Sequence, residues 1–360
     1  MPATFGLEVT GQAQHDAWQL RVMPPAEQLA SDLWSIPVTI PNNPLRYVNC
    51  YAFGTGAGLV LLDTGWASEE SWQALTAGLA AAGAAVTDIR GVLVSHLHLD
   101  HSGLAARIRQ ESGAWVAMHP AEHAAIARPD YRDAALAVRK EAEFLRSLGA
   151  TAAEAEDVVE TEEEFAPFCS VALPDRELSD GDLADVPGWR LRAVHTPGHT
   201  PGHLCFADER ARRLFAGDHI LPRITPNVSV QRADPVDPLR DYLRSLDRVR
   251  PMDVDEVFPA HEWRFRGLAE RAKAIAAHHE RRLAELLGAI ERMPGATPWE
   301  LAGQLTWSHP WDAYSGRMRI HAVTETAAHV HLLERRGLVR SSGGLVPGYH
   351  RTPAPEPRGP

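Results

Sequence analysis

The chain has 360 residues, of which 44% are hydrophobic and 23% charged, and its formal net charge is −11. That composition belongs to globular proteins, with room for one large domain and a smaller appendage, and it excludes disordered and fibrous classes. The acidic balance argues against a chain whose main task is to neutralise nucleic-acid phosphates, and no run of about 18 apolar residues offers a membrane span.

The N-terminus, Met1-Pro2-Ala3-Thr4, lacks a basic segment followed by an apolar one, so a cytoplasmic location is expected. Apolar β-forming runs lie at residues 59–62, 92–94, 115–118, 191–194, 204–206 and 213–216, with helical patterns such as 71–82 and 104–111 between them. The class is mixed α/β. Asp63, His96, His199 and Asp218 each fall just past such a run or in the loop after it, where α/β folds place their chemistry. Residues 131–165 interrupt this rhythm with an alanine- and glutamate-rich stretch, expected to form one or two inserted helices and a possible lid.

After His261 the pattern turns helical over 268–293, 298–305 and 318–336, and a two-stranded ribbon over 337–346 turns on Ser341-Ser342-Gly343-Gly344. Three helices and a ribbon spell a winged helix. The expected organisation is a catalytic domain over 1–275, a winged-helix-like domain over 276–350 and a flexible proline-rich tail over 351–360. Cys50, Cys169 and Cys205 form no C-x-x-C pair, which excludes a disulfide framework and a cysteine zinc site. Lys140 and Lys273 are the only lysines and neither follows a glycine-rich loop, so a P-loop is excluded as well.

The strongest signal is Ser95-His96-Leu97-His98-Leu99-Asp100-His101, directly after an apolar strand. Imidazole and carboxylate together suit zinc, and also iron or manganese. Alternating positions of an extended segment share a direction, so His96 and His98 can grip one ion while Asp100 and His101, past the bend, reach another. Four ligands are too few for two ions. The remainder are expected from His195-Thr196-Pro197-Gly198-His199-Thr200-Pro201-Gly202-His203, from Asp218 at the end of Phe215-Ala216-Gly217-Asp218, and from His261 in Phe258-Pro259-Ala260-His261-Glu262.

These motifs, in this order, resemble the metallo-β-lactamase superfamily over roughly 37–266. The resemblance implies a four-layer αββα sandwich, here followed by the winged-helix-like domain, with metals at one edge of the sheets. It implies that His96, His98 and His199 hold one divalent ion, that Asp100, His101 and His261 hold a second, and that Asp218 bridges them. Asp63, in Leu62-Asp63-Thr64-Gly65, would orient the ligand loop. His195 and His203 do not match ligand positions. The A-G-D context of Asp218 and the T-P-G-H-T-P-G-H run look like the glyoxalase II branch, from which the C-terminal domain departs.

Two ions sharing a water make a bridging hydroxide available as nucleophile near neutral pH, with Asp100 as the group that takes and orients its proton. His219, Arg223 and Asn227 are candidates to line the substrate pocket. The expected activity is hydrolysis of a small acyl substrate, a thioester or lactone, with zinc as the first choice of metal. The alternative is a nucleic-acid phosphodiesterase that grips through the winged helix. The helix over 318–336 has an apolar middle and basic ends, so that domain is expected to serve packing, homodimer formation or pocket shaping rather than nucleic-acid binding. Trp299, Trp307 and Trp311 add apolar area for docking.

Overall fold

The structure, a computed structural model, describes residues 6–232 and 237–353. Chain order begins with β1 (Glu8–Val9), α1 (Gln12–Leu20), β2 (Glu27–Ala30), β3 (Leu33–Thr39), β4 (Tyr47–Thr55) and β5 (Gly58–Leu62). Next come α2 (Glu69–Ala81), β6 (Ile89–Leu93), α3 (Leu99–Ser102), α4 (Ala105–Ser112), β7 (Trp115–Met118) and α5 (Pro120–Ile126). The insertion then forms α6 (Ala134–Ser147), α7 (Ala152–Val158) and α8 (Glu162–Cys169), and β8 (Arg176–Glu177) closes the first half. Three inserted helices replace the expected one or two, and they run past residue 165. Thr151 and Thr161 each form a reciprocal capping box with a glutamate three residues on, which divides a continuous polar pattern into separate helices.

The second half contains β9 (Leu191–His195), β10 (Leu204–Asp208), β11 (Arg213–Gly217), α9 (Pro238–Val249), β12 (Glu256–Pro259) and β13 (Phe265–Arg266). It ends with α10 (Leu268–Arg292), α11 (Pro298–Ala302), α12 (Gly316–Arg335) and the ribbon of β14 (Val339–Ser341) and β15 (Tyr349–Arg351). The second ribbon strand lies later than expected. Leu345 is 94% exposed in the connecting loop, and Arg351, assigned to the tail by composition, pairs with Val339. Residues 354–360 of the expected tail lie outside the described residues.

Seven strands form one sheet in the order β2-β3-β4-β5-β6-β7-β8, and six form the other in the order β1-β13-β12-β11-β10-β9. Their side-chain alternation explains why they stack. Tyr51 and Phe53 of β4 point inward and meet Phe215 and Phe258 from the other sheet, with ring centroids 5.0 to 5.7 Å apart. Val48, Cys50 and Ala52 of the same strand point outward and join Leu75 and Leu79 of α2. On the opposite sheet Phe206 faces inward, while Cys205 and Ala207 face a layer containing Leu239 and Leu246 of α9 and Ile275 of α10. The result is an αββα sandwich. Each fully buried aliphatic or Phe side chain contributes roughly 1.5–3 kcal/mol, so both faces of these strands favour the layering, the aromatic face turning to the other sheet and the smaller face to the helices.

The strands β5, β6 and β7 run parallel, joined by crossovers through α2 and α4, and β11 and β12 are likewise parallel across α9. Parallel strands end at the same edge. The loops after β5, β6, β11 and β12 are therefore neighbours, and this is where the histidines and aspartates of the sequence motifs meet.

α10 runs unbroken from Leu268 to Arg292 across the expected domain boundary at 275/276. Its buried face, the outer face of the second sheet, the insertion's Leu145, Leu148, Ala155 and Val158, and α12 belong to one apolar cluster. Trp299 is buried in that cluster, donates from its main chain to the Leu148 carbonyl at 2.9 Å and from Nε1 to Glu154 at 3.1 Å, so it docks onto the insertion. Trp307 and Trp311 pack beside it, half-buried. Among the described residues no helix is long and apolar enough to cross a membrane.

Candidate metal centre

Asp63 leaves β5 with φ of 62°, a left-handed conformation uncommon for a residue with a Cβ. Its buried carboxylate gathers the ligand loop. Oδ1 accepts from the Ser95 amide at 2.8 Å, and Oδ2 accepts from Ser95 Oγ at 2.8 Å and from His101 Nδ1 at 2.8 Å. Thr64 adds its amide and hydroxyl to the His101 carbonyl, both at 2.8 Å. With Nδ1 thus occupied, His101 presents Nε2 to the site, the arrangement by which a neighbouring carboxylate orients a metal-ligating imidazole.

The loop between β9 and β10 carries His199. Gly198 has φ of +135°, and a Cβ there would lie 2.3 to 2.6 Å from atoms of Tyr242 on α9, so only glycine lets the loop approach that helix. His199 Nδ1 donates to the Asn227 carbonyl at 2.7 Å, and His261 Nδ1 donates to the Tyr47 carbonyl at 3.0 Å. Each of these rings is left with Nε2 turned towards Asp218.

All seven residues named from the sequence converge. His96 Nε2 lies 2.9 Å from His98 Nδ1 and 3.2 Å from His199 Nε2. Asp100 Oδ2 lies 3.3 Å from His261 Nε2 and 3.6 Å from His101 Nε2. Asp218 stands between the two groups, with Oδ2 at 3.6 Å from His199 Nε2 and Oδ1 at 3.5 Å from His101 and 3.2 Å from His261. One oxygen faces each triad.

Buried polar atoms are normally paired, and three of these are not: His101 Nε2, His261 Nε2 and Asp218 Oδ1 make no hydrogen bond. They approach each other at ligand-to-ligand distances without the directionality of a hydrogen bond. Three triads, His96-His98-His199, His96-His101-Asp218 and Asp100-His101-His261, have their ligand atoms within 4.8 Å of one another. Orphaned nitrogen and carboxylate oxygen atoms around common centres are the donor set of a divalent cation site, and the residues present fit two such ions.

The electrostatics divide the site. Burial, reinforced by neighbouring imidazoles, drives His96 and His98 well below the usual histidine range, so both are neutral and offer lone pairs. On the other side burial opposes the charged forms but is outweighed. Asp100, Asp63 and Asp218 lift His101 to about 9, Asp218 and Asp100 lift His261 well above its ordinary value, and these imidazoles hold Asp100 down to about 2. Without cations the two carboxylates borrow positive charge from protonated histidines.

The other motif histidines have different work. His203 is buried, accepts the Asp218 amide on Nε2 at 3.1 Å and pairs through Nδ1 with Thr196 Oγ1 at 2.8 Å, so it sets the strand end that carries Asp218. His195 turns away, bonds the Pro201 carbonyl at 2.9 Å and stacks on His119 at 4.1 Å. The pocket-lining expectation needs correction for His219, which is fully buried against Tyr242, whereas Arg223 is exposed and pairs through Nε with Glu262 at 2.8 Å. Asn227 contributes a carbonyl to His199.

Glu122 was not legible as a site residue. It is fully buried, and its two oxygens accept from the Leu97 amide at 2.7 Å and the Gly202 amide at 2.5 Å, tying together the two loops that supply His96 and His199. In sequence it is a glutamate in the first turn of α5, where helix polarity alone accounts for an acidic residue. Only Pro-Gly-His at 201–203, a glycine where a Cβ would collide with Glu122, hinted at a close approach.

The sequence profile of the metallo-beta-lactamase superfamily matches residues 43–261. The chain belongs to that superfamily, a group of divalent-metal proteins, and it is a hydrolytic enzyme of that kind. It is 28% identical to the lactamase-like protein adaB of Aspergillus niger over 75% of this chain and 67% of that one. It is 25% identical to the atrochrysone carboxyl ACP thioesterase of Aspergillus fumigatus, over 76% of this chain and 70% of that one. A metallo-beta-lactamase family protein from Thermus thermophilus superposes with a TM-score of 0.76 at 30% identity, covering 90% of this chain and 100% of the other.

Proposed function

We propose that this enzyme hydrolyses a small acyl substrate, a thioester or lactone, with two divalent cations, zinc first among them. The observation that carries the dinuclear reading is Asp218, whose two oxygens face two separate triads while one of them lacks any hydrogen-bond partner. When bound, a pair of divalent cations supplies an activated water near neutral pH and polarises the acyl oxygen. Asp100, which faces both His101 and His261, is the residue that would accept and orient the proton of the attacking water. With cations bound, His101 and His261 would serve as neutral ligands, their protons released to solvent. Asp63, His203 and Glu122 keep the loops in register.

The name of the Aspergillus fumigatus relative supports a thioester, the first of the two substrate classes and one that a glyoxalase II-like branch would share. The winged-helix reading of α10 to β15 fits a packing role. The middle of α12 is buried, and its terminal arginines are engaged, Arg335 with Asp237 at 3.4 Å and Arg336 with Glu280 at 2.7 Å. Little is left to grip phosphates, which disfavours the phosphodiesterase alternative. Reporter thioesters, lactones and phosphodiesters offered to zinc-, manganese- and iron-loaded protein test the proposal. Thioester or lactone turnover is expected, and phosphodiester cleavage with salt-dependent nucleic-acid binding would replace it.

A further inference from the structure

The segment that follows Asp218 returns to the metal edge at residues 225–230 and there meets α12. Asn227 faces both ways. Its main-chain carbonyl accepts from His199 Nδ1 at 2.7 Å, while its side-chain Nδ2 donates to Glu325 Oε2 at 3.2 Å and to the His321 carbonyl at 3.4 Å. Its Oδ1 accepts from Ser229 Oγ, which in turn lies 2.9 Å from Thr324 Oγ1. The Val230 amide donates to the Thr324 carbonyl at 3.2 Å. A run of side-chain and main-chain bonds therefore fastens the carbonyl that orients His199 to one turn of a helix about 100 residues further along the chain.

That turn is itself fixed. His329, one turn on, is buried, donates from Nδ1 to the Glu325 carbonyl at 2.8 Å and pairs with His279 of α10 at 3.1 Å. Ala327, Ala328 and Val330 lie in the apolar cluster shared by α10, α12 and the second sheet. A ligating imidazole keeps its tautomer and direction only while the partner of its other nitrogen is held, and a loop carbonyl is a poor anchor unless something rigid holds the loop.

We propose that α12 is a structural part of the metal centre: Glu325 and Thr324, acting through Asn227, are positioning residues for His199 and hence for the His96-His98-His199 half of the site. The inference rests on the dinuclear reading given above. It assigns to the C-terminal helices a role in the chemistry that neither packing nor partner binding describes. It also makes an asymmetric statement, because no bond of this set reaches Asp100, His101 or His261.

The test is cobalt titration of the metal-free, full-length protein, read by ligand-field absorption and by competition with a chromophoric chelator, alongside melting of the metal-free protein. Asn227→Ala removes the side-chain fastening and keeps the carbonyl. Glu325→Ala removes the acceptor from α12 without loss of helix propensity, and Glu325→Gln restores an oxygen that can accept from Nδ2. The expected result is a loss of about 10–100-fold in affinity for one ion in Asn227→Ala and Glu325→Ala. The second ion and the Glu325→Gln variant should stay near wild type, as should the metal-free melting temperature of Asn227→Ala. Unchanged affinity for both ions in the two alanine variants overturns the proposal. So does equal loss of both ions together with a lower metal-free melting temperature, which is the mark of packing alone. A wild-type protein that takes up no divalent ion would sink the dinuclear reading and this inference together, whereas two ions bound at wild-type affinity in every variant would sink only this one.

Discussion

At the scale of single residues, the site turns buried nitrogen and carboxylate oxygen atoms towards one another and leaves three of them without a hydrogen bond. Asp218 is the clearest case, since its Oδ1 is buried without a hydrogen bond while its main-chain amide is held by His203. Asp218→Ala removes the carboxylate that faces both triads. Protein purified without chelator should bind about two ions per chain in wild type and one or fewer in the variant, with turnover down by at least ~100-fold. Wild-type metal content in Asp218→Ala would show that the bridge is elsewhere. Glu122 acts at one remove, and Glu122→Gln presents an amide nitrogen to one of two amide donors, leaving a buried N–H unsatisfied at a cost of about 1–3 kcal/mol. The expected outcome is a lower melting temperature and weaker metal retention together, because the loops of His96 and His199 share that carboxylate.

At the scale of elements, the insertion of α6, α7 and α8 is attached rather than free. Trp299 of α11 bonds Leu148 and Glu154, Arg317 of α12 pairs with Glu160, and Arg232 reaches the Ala137 carbonyl at 2.6 Å. These bonds link the insertion to the C-terminal helices and to the segment after Asp218. Trp299→Ala takes away a large buried ring and two anchoring contacts, one through Nε1 and one through the packing that holds its main chain, at roughly 3–5 kcal/mol. Limited proteolysis should then cut residues 131–169 in the variant much faster than in wild type, where the insertion is expected to resist cleavage with or without a bound inhibitor. Rapid cleavage of the wild-type insertion, suppressed by an inhibitor, would instead identify a moving lid.

At the scale of the whole molecule, part of the acid stability of the metal-free protein rests on histidines held neutral between α10 and α12. Burial first, then the neighbouring imidazoles and Arg282, depress His279 well below the ordinary histidine value; burial with Arg282 takes His278 and His329 down to about 4. In the unfolded chain these rings take up protons near pH 6.5. Their contribution is therefore complete above about pH 6.5 and is lost as pH falls towards 4. Glu325 acts in the opposite sense, since burial lifts its carboxyl to about 7 and its share of stability is lost as pH rises through that value. Metal-free protein should melt at a lower temperature at pH 5 than at pH 7, and His329→Asn should reduce that difference. An undiminished difference in the variant would move the cause to another group.

The sequence by itself determined the chemistry and the class of fold. The spacing of His96, His98, Asp100 and His101 after an apolar strand, and Asp218 and His261 at later strand ends, picked out residues that the structure brings together, because the capacity to hold a metal is a property of side-chain type at short range. The strand runs pointed only to a mixed α/β class, and the sandwich came from the resemblance that the motifs carry. What it could not supply is anything that joins residues distant in the chain. Glu122 and Asn227 carry ordinary sequence signals, an acidic first turn and a loop asparagine, and their roles exist only because the fold brings the loop between antiparallel β9 and β10 to the edge where the parallel strands end. His219 shows the converse: its position beside Asp218 suggested a pocket residue, yet the turn after β11 buries it against Tyr242. For the same reason α10 continues across the position expected as a boundary, since hydrophobic burial is indifferent to chain order and α10, α12 and the insertion fill one apolar layer over the second sheet. Local chemistry is written in the order of residues, whereas the partners that aim it are chosen by packing.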